Sequence, residues 1–128
     1  MKPEGYSTVS PYLVVTDAPA IIDFMKEAFG ATELRLYENP DGSVMHAEVL
    51  IDDTVIMLGE GGEDWPPFSS LLHVYVDDVD KVFQRALDAG AEALQEPEQQ
   101  PEDPDRRGSV QDPSGNIWSI ATTLKDSE

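Results

Sequence analysis

The chain has 128 residues, and 26 acidic against 8 basic residues give it a formal net charge of −18 at pH 7. That length suits one compact domain, and that charge repels phosphate backbones and anionic lipid surfaces, so we expect neither nucleic acid nor membranes as partners. The absence of cysteine excludes disulfides and thiolate metal sites, and the lack of a signal peptide or a long apolar run predicts a cytoplasmic protein.

The chain contains nearly the same strand-helix pattern twice. Residues 10–17 (SPYLVVTD) precede an amphipathic stretch that ends at Gly30, and residues 71–78 (LLHVYVDD) precede another that ends at Gly90. Thr16 or Asp17 can cap the first helix and Asp78 the second. This duplication predicts two pseudo-symmetric modules, and the seam between them is a natural place for a ligand cavity.

Three strands follow each predicted helix. They are expected near 33–37, 45–51 and 54–58 in the first module, and near 93–95, 108–111 and 117–121 in the second. An acidic, proline-rich excursion is expected at 96–105. Each module is therefore βαβββ, with module one at about 8–60, a linker at 61–70 and module two at about 71–122. The fold class is α+β, with a curved mixed sheet around a cavity and helices on the outer face.

Two segments fall outside this pattern. The linker carries Trp65 and Phe68, which could form a lid or a dimer contact but are expected to plug the end of the core. The terminal residues 125–128 are expected to be disordered.

Several motifs give the sequence a family resemblance. The helix starts at 14–17 (VVTD) and 76–80 (VDDVD), the helix end at 28–31 (AFGA) and the late motif at 112–118 (DPSGNIW) resemble the vicinal oxygen chelate superfamily. That superfamily includes glyoxalase I, bleomycin-resistance proteins, extradiol dioxygenases and fosfomycin-resistance transferases. Residues 10–13, 46–48, 55–58 and 119–122 are similar to its glyoxalase-like branch associated with phosphonate gene clusters. The resemblance covers about residues 8–123 and implies a fold more firmly than an activity.

The resemblance also implies where metal ligands would stand. Metal-dependent members place His and Glu on the first and last strands of each module, and the matching positions here hold Ser10, Met57, Leu71 and Ser119. None of these supplies the imidazole or carboxylate donors that Zn, Ni, Fe or Mn prefer. We therefore expect neither metal nor cofactor, and we do not expect the usual glyoxalase and dioxygenase mechanisms.

Strand alternation indicates which side chains face the cavity, because every second residue points to the same side of a strand. Two histidines and a glutamate in this set could form a displaced metal site or an acid-base pair, although a neutral, hydrogen-bonded histidine is the simpler interpretation. Arg106 is expected to orient a loop through a salt bridge. The candidate ligand-binding residues are Ser10, Tyr12, His46, Glu48, Met57, His73, Tyr75, Arg107, Gln111 and Ser119.

Two functions of different classes follow. In the first, the protein binds a small organic molecule, cationic or aromatic, without transforming it. The acidic surface could attract such a ligand, although a solvated surface, as in a salt-adapted organism, is the simpler interpretation of the charge. In the second, it is a lyase, isomerase or transferase that uses His46 with Glu48, or His73, as an acid-base or metal residue. A homodimer is expected in both cases, because the family builds pockets by setting modules side by side.

Overall fold

A computed structural model of the protein describes residues 1–124, so the expected disorder of 125–128 lies outside the described residues. Both modules have the predicted βαβββ order, and the α+β class is confirmed. The elements of module one are β1 (Tyr12–Val15), α1 (Ala18–Phe29), β2 (Thr32–Glu38), β3 (Val44–Ile51) and β4 (Thr54–Glu60). Those of module two are β5 (Leu71–Tyr75), α2 (Val79–Asp88), β6 (Glu92–Gln99), β7 (Asp105–Gln111) and β8 (Ile117–Thr123).

The strands form two mixed sheets of four. Sheet one has the order β1-β4-β3-β2, and sheet two repeats it as β5-β8-β7-β6. The first strand of each module pairs in parallel with the last, and the other pairs are antiparallel. No strand pair within residues 1–124 joins one sheet to the other, so β2 and β6 are outer edges and β1 and β5 are inner edges.

The two modules share one hydrophobic core on the helix side of both sheets. Leu13, Val49 and Val110 are at most 1% exposed there, as strand alternation predicts. On α1, Phe24 and Phe29 contact the indole of Trp118 on β8, with ring centroids 6.0 and 5.0 Å apart. The modules are thus joined by apolar packing, and the opposite side of each sheet is left without a helix. We call that side the open face.

The helices begin where the sequence predicts. The Asp17 carboxylate accepts a hydrogen bond from the backbone N–H of Ala20 at 3.2 Å, and Asp78 caps α2 through Lys81 at the same distance. Gly30 ends α1 in the left-handed conformation, with φ of 69°. Neither helix in the described part of the chain is long and apolar enough to cross a membrane.

Two local expectations are corrected. Half of the acidic excursion at 96–105 is strand, because β6 extends to Gln99 and β7 begins at Asp105. Pro97 is tolerated in β6 because an outer edge strand need not donate every N–H. The linker aromatics do not plug the core, since Trp65 is 69% exposed and Phe68 is 52% exposed. The linker instead lies along the end of β1, where backbone N–H groups of 61 and 68 donate to carbonyls of β1 and leave both side chains outside.

Candidate functional site

A hydrogen-bonded group of side chains lies on the open face of sheet one, around the carboxylate of Glu48. Glu48 is only 3% exposed, and its Oε2 lies 2.8 Å from His46 Nε2. Its Oε1 accepts a hydrogen bond from the hydroxyl of Tyr6 and lies 3.7 Å from Arg35 Nε. The hydroxyl of Tyr12 reaches the other ring nitrogen of the histidine, Nδ1, at 3.1 Å. We call Tyr6, Tyr12, Arg35, His46 and Glu48 the Glu48 cluster.

The strand register explains why these side chains meet. Tyr12 on β1 pairs with Met57 on β4, Met57 pairs with Glu48 on β3, and Glu48 pairs with Arg35 on β2. Side chains that oppose one another across neighbouring strands point to the same face. His46 lies two residues before Glu48 and so shares its face. The backbone pairing therefore places three polar side chains and the thioether of Met57 in one row across sheet one.

The protonation states follow from the hydrogen bonds. Burial raises the pKa of the Glu48 carboxyl, but hydrogen bonds from Tyr6 and His46 together with the Arg35 guanidinium outweigh it, and the pKa lies below its usual value. An ionised Glu48 can only accept, so His46 Nε2 carries the hydrogen of that bond; in the tautomer with a bare Nδ1, that nitrogen accepts from the Tyr12 hydroxyl. Burial, aided by the Glu48 charge, raises the pKa of Tyr12, so this phenol stays protonated and donates.

A glycine makes room for this contact. A Cβ at Gly59, which pairs with Val14 on β1, would lie 2.6 Å from the carbonyl oxygen of Met45 and 3.0 Å from the Tyr12 hydroxyl. Both distances are shorter than ordinary van der Waals contacts. The absence of a side chain at Gly59 therefore allows the Tyr12 hydroxyl to lie close to β4 and to reach the His46 imidazole.

The open face of sheet two carries two separate pairs. His73 Nδ1 lies 2.9 Å from Ser119 Oγ, and the Tyr75 hydroxyl donates to Asp105 Oδ2 at 2.7 Å. The His73 and Tyr75 rings meet edge to face with centroids 4.8 Å apart. The hydrogen bond to Asp105 raises the pKa of Tyr75. His73 is the counterpart of Tyr12 and Ser119 that of Met57, because each pair holds the same register between the first and last strands of its module.

The remaining predicted residues are held by local contacts. Arg107 forms an ion pair with Asp103, and Gln111 donates to the carbonyl of Gly115 at 3.4 Å. Ser10 is half-buried just before β1. Arg106 binds Asp80 at the start of α2 through two hydrogen bonds of 2.9 Å, which is the loop-orienting salt bridge expected from the sequence.

Cavities do lie at the seam between the modules. One of about 360 Å³ is bounded by the turn at 51–54, by β5 and by Trp118. Another of about 450 Å³ lies between 11–13 and 70–73. Of the predicted residues, only Tyr12, His73 and Tyr75 line them, and Tyr12 is the member of the Glu48 cluster that reaches the seam.

Comparison with known proteins identifies the family. The sequence profile of the Glyoxalase/Bleomycin resistance protein/Dioxygenase superfamily matches residues 7–120. The chain belongs to this superfamily. It is 40% identical to the uncharacterized protein Mb0911c of Mycobacterium bovis over 129 residues, covering 92% of this chain and 84% of that protein.

Solved structures agree with this assignment. TioX from Micromonospora sp. ML1 matches with a TM-score of 0.77 and 26% identity, covering 92% of this chain and 99% of TioX. The PhnB protein of Bacillus cereus matches with a TM-score of 0.70, covering 91% of this chain and all of that one. Its identity is 15%, so this second likeness concerns the fold alone.

The superfamily implies a divalent metal, but the side chains present do not fit one. No group of three or more His, Asp or Glu residues within residues 1–124 is placed to hold a metal ion. His46 and Glu48 bind each other, whereas His73 is paired with Ser119 on the other sheet. His46 and Glu48 are hydrogen-bonded to each other, and two potential metal ligands are fewer than the three or four protein ligands of a typical metal site.

Sequence reasoning missed Tyr6, Arg35 and Asp105. Next to the turn near 39–42, Glu38 pairs with Val44, but the register then shifts so that Tyr37 pairs with His46 and Arg35 with Glu48. Counting from the turn alone would have placed Arg35 opposite Ala47, on the other face of the sheet. Asp105 fell inside the supposed excursion. Tyr6 precedes the first strand in a segment without periodicity, and no sequence signal directs it to Glu48.

Proposed function

We propose that this chain binds a small organic molecule with a planar aromatic or cationic part on the open face of module one, without metal chemistry. The observation that carries this proposal is the ionised, nearly buried Glu48 carboxylate beneath an exposed set of rings. A buried charge is costly unless it is paired, and residues that hold one on an open face are candidates for ligand recognition.

The surroundings of the carboxylate suit a flat ligand. Tyr12 is 43% exposed and Tyr37 is 49% exposed, and both rings flank His46 with centroids 5.5 and 6.3 Å from it. Exposed aromatic faces attract cations and other rings. The net charge of −18 adds a long-range attraction for positively charged molecules. The adjoining seam cavity of about 450 Å³ falls within the range of small-molecule pockets.

The proposal includes a homodimer. The open faces expose large aromatic or apolar side chains in both modules, including Tyr37, which pairs with His46, at 49% and Leu71 at 73%. A second copy that covered these faces would enclose the ligand and remove the apolar surface from water. Light scattering coupled to size-exclusion chromatography checks this, and a monomer at high protein concentration would contradict it.

Proflavine, a planar cation with its own fluorescence, is a suitable probe for the binding site. We expect it to bind the wild type, and we expect Glu48→Gln to weaken binding about tenfold through loss of one charge-assisted contact. Glu27→Gln is the matched control, because it removes one exposed charge from α1 and leaves the cluster intact. Equal affinities for the two variants would mean that proflavine binds only the acidic surface, which contradicts the proposal.

One observation favours acid-base catalysis as a second candidate. The carboxylate of Glu48 holds His46 in the tautomer whose Nδ1 accepts a proton, as a general base requires. Incubation with candidate glyoxalase, dioxygenase and transferase substrates, followed by mass spectrometry, separates the two functions. Substrates recovered unchanged support binding alone, whereas a product that His46→Gln abolishes supports catalysis.

A further inference from the structure

The N-terminal segment places a tyrosine ring in a site built by other parts of the chain. Residues 1–11 form no helix or strand, and up to residue 9 only Tyr6 is shielded from solvent. Its hydroxyl donates to Glu48, 42 positions along the chain. Tyr6 also precedes residues 7–120, the part that matches the superfamily profile. We call residues 1–11 the strap.

The walls of the site come from two neighbouring strands. Arg35 on β2 lies over the Tyr6 ring, with its guanidinium carbon 5.6 Å from the ring centroid, and Glu48 on β3 accepts the hydroxyl proton. One wall therefore recognises an aromatic face and the other recognises a hydrogen-bond donor on that ring. Both walls belong to sheet one, where the pairing of Arg35 with Glu48 places their backbones side by side.

The carboxylate needs a donor where Tyr6 stands. His46 satisfies Oε2, whereas Oε1 is served by the Tyr6 hydroxyl and by Arg35 Nε at 3.7 Å. That distance is longer than a good hydrogen bond. If the strap lifted without a replacement, Oε1 of Glu48 would lose its close protein donor and would be left to Arg35 and water. A replacement must bring both a ring for Arg35 and an O–H or N–H for Glu48.

We propose that Arg35 and Glu48 form a subsite for an aromatic ring bearing a hydroxyl group, which Tyr6 occupies until a ligand displaces the strap. This rests on the proposed function, since it names a chemical group recognised at the same face. The strap competes with the ligand. The apparent affinity for the ligand is therefore the intrinsic affinity of the subsite multiplied by the fraction of molecules in which Tyr6 has left it.

The side chain of tyrosine itself supplies the probe. p-Cresol matches the Tyr6 side chain, and 4-methylanisole is the same ring with the donor hydrogen replaced by methyl. We expect p-cresol to bind Tyr6→Ala with a dissociation constant on the order of 1 mM, a usual value for so small a ligand. NMR titration should show the shifts at the amides of β2 and β3. Binding should be about tenfold weaker to the wild type and intermediate for Tyr6→Phe, which keeps the ring and loses the donor.

Each outcome decides the proposal. If p-cresol binds Tyr6→Ala no better than the wild type, the strap does not occupy a ligand subsite. If 4-methylanisole binds Tyr6→Ala as well as p-cresol does, the hydroxyl is not recognised. A parallel proflavine titration of the wild type separates the two proposals. If Glu48→Gln weakens proflavine binding but p-cresol does not bind Tyr6→Ala, only this inference is overturned. If Glu48→Gln leaves proflavine affinity unchanged, the proposed function is overturned.

Discussion

The open faces of the two modules share a backbone plan and differ in how their polar side chains are connected. In module one, a single buried carboxylate, Glu48, links the strap, β2 and β3, and through His46 reaches β1. In module two, His73 and Tyr75 each satisfy a different partner, and the two pairs share only a ring contact. Duplication thus repeats the scaffold, whereas the side chains on it decide that one half presents a connected site and the other presents local contacts.

The largest expected effect on stability comes from the turn between β7 and β8 of module two. Asp112 is 4% exposed, and its carboxylate accepts from Trp118 Nε1 at 2.9 Å and from the backbone N–H groups of Ser114 and Asn116 at 2.9 and 3.0 Å. Asp112→Ala leaves these donors without their acceptor, and we expect it to lower the free energy of unfolding by about 3 kcal/mol. Urea unfolding measures the loss.

The matched change in module one is Asp53→Ala, in the exposed turn between β3 and β4. Within residues 1–124, the Asp53 side chain accepts a single hydrogen bond, from the Thr54 hydroxyl, so we expect a change below about 0.5 kcal/mol. Equal losses of stability in the two variants would contradict the greater stabilisation that we assign to the Asp112 hydrogen bonds in module two.

Gly59→Ala should damage the connection between Tyr12 and His46. The added methyl group meets a backbone carbonyl and the phenol oxygen, so either the strand or Tyr12 must move, at a cost of about 2 kcal/mol. Urea unfolding and the NMR chemical shifts of the His46 ring report the two effects. Gly62→Ala is the control, since nothing lies within 4 Å of a Cβ there. An unshifted His46 ring in Gly59→Ala would contradict the described packing.

Glu48→Gln should make the stability of the protein less dependent on pH. The pKa of Glu48 is lowered in the folded protein, so its contribution is present above the unfolded value of about 4.3 and is lost as the pH falls through the folded value. We expect a deficit of about 2 kcal/mol for the variant at pH 7, which narrows below about pH 4.3. Unfolding curves from pH 7 to 3 measure it, and a deficit that does not narrow would contradict an ionised Glu48.

The smallest effect is expected on the open face of module two. Ser119→Ala removes an exposed hydrogen bond to His73, and we expect less than about 0.5 kcal/mol and no change in proflavine affinity. Tyr12→Phe is the corresponding change in module one and should cost about 1 kcal/mol, because it removes the donor to His46. If Ser119→Ala weakens proflavine binding more than Tyr12→Phe, the ligand site belongs to module two.

The sequence predicts the fold well because repetition and alternation record backbone geometry. The duplicated strand-helix unit, the caps at Asp17 and Asp78 and the buried sides of the strands all follow from local patterns. Alternation also places His46 and Glu48 on one face. Their direct contact depends on side-chain conformations, which no periodicity encodes.

The rest of the site could not be predicted for different physical reasons. Tyr6 reaches Glu48 through an irregular segment, where the path of the chain is set by tertiary contacts. The outward side chains of Trp65 and Phe68 depend on how the linker hydrogen-bonds to β1. Composition suggested burial for these rings, because large apolar residues are buried on average, but backbone contacts decided otherwise.

The outer edge strands bear on how the protein resists aggregation. Unpaired edges can recruit strands of other molecules, and charged side chains or proline oppose this. On β6, Pro97 lacks an N–H and stands between Glu96 and Glu98, so this edge combines a missing donor with repulsion. On β2, the sequence TELRLYE has no proline and keeps Leu34 and Leu36 exposed. Protection at β2 therefore rests on its charged side chains and on the register shift at Leu34, which interrupts the regular edge. Replacing these charged side chains with apolar ones would leave that edge the more open to intermolecular strand pairing.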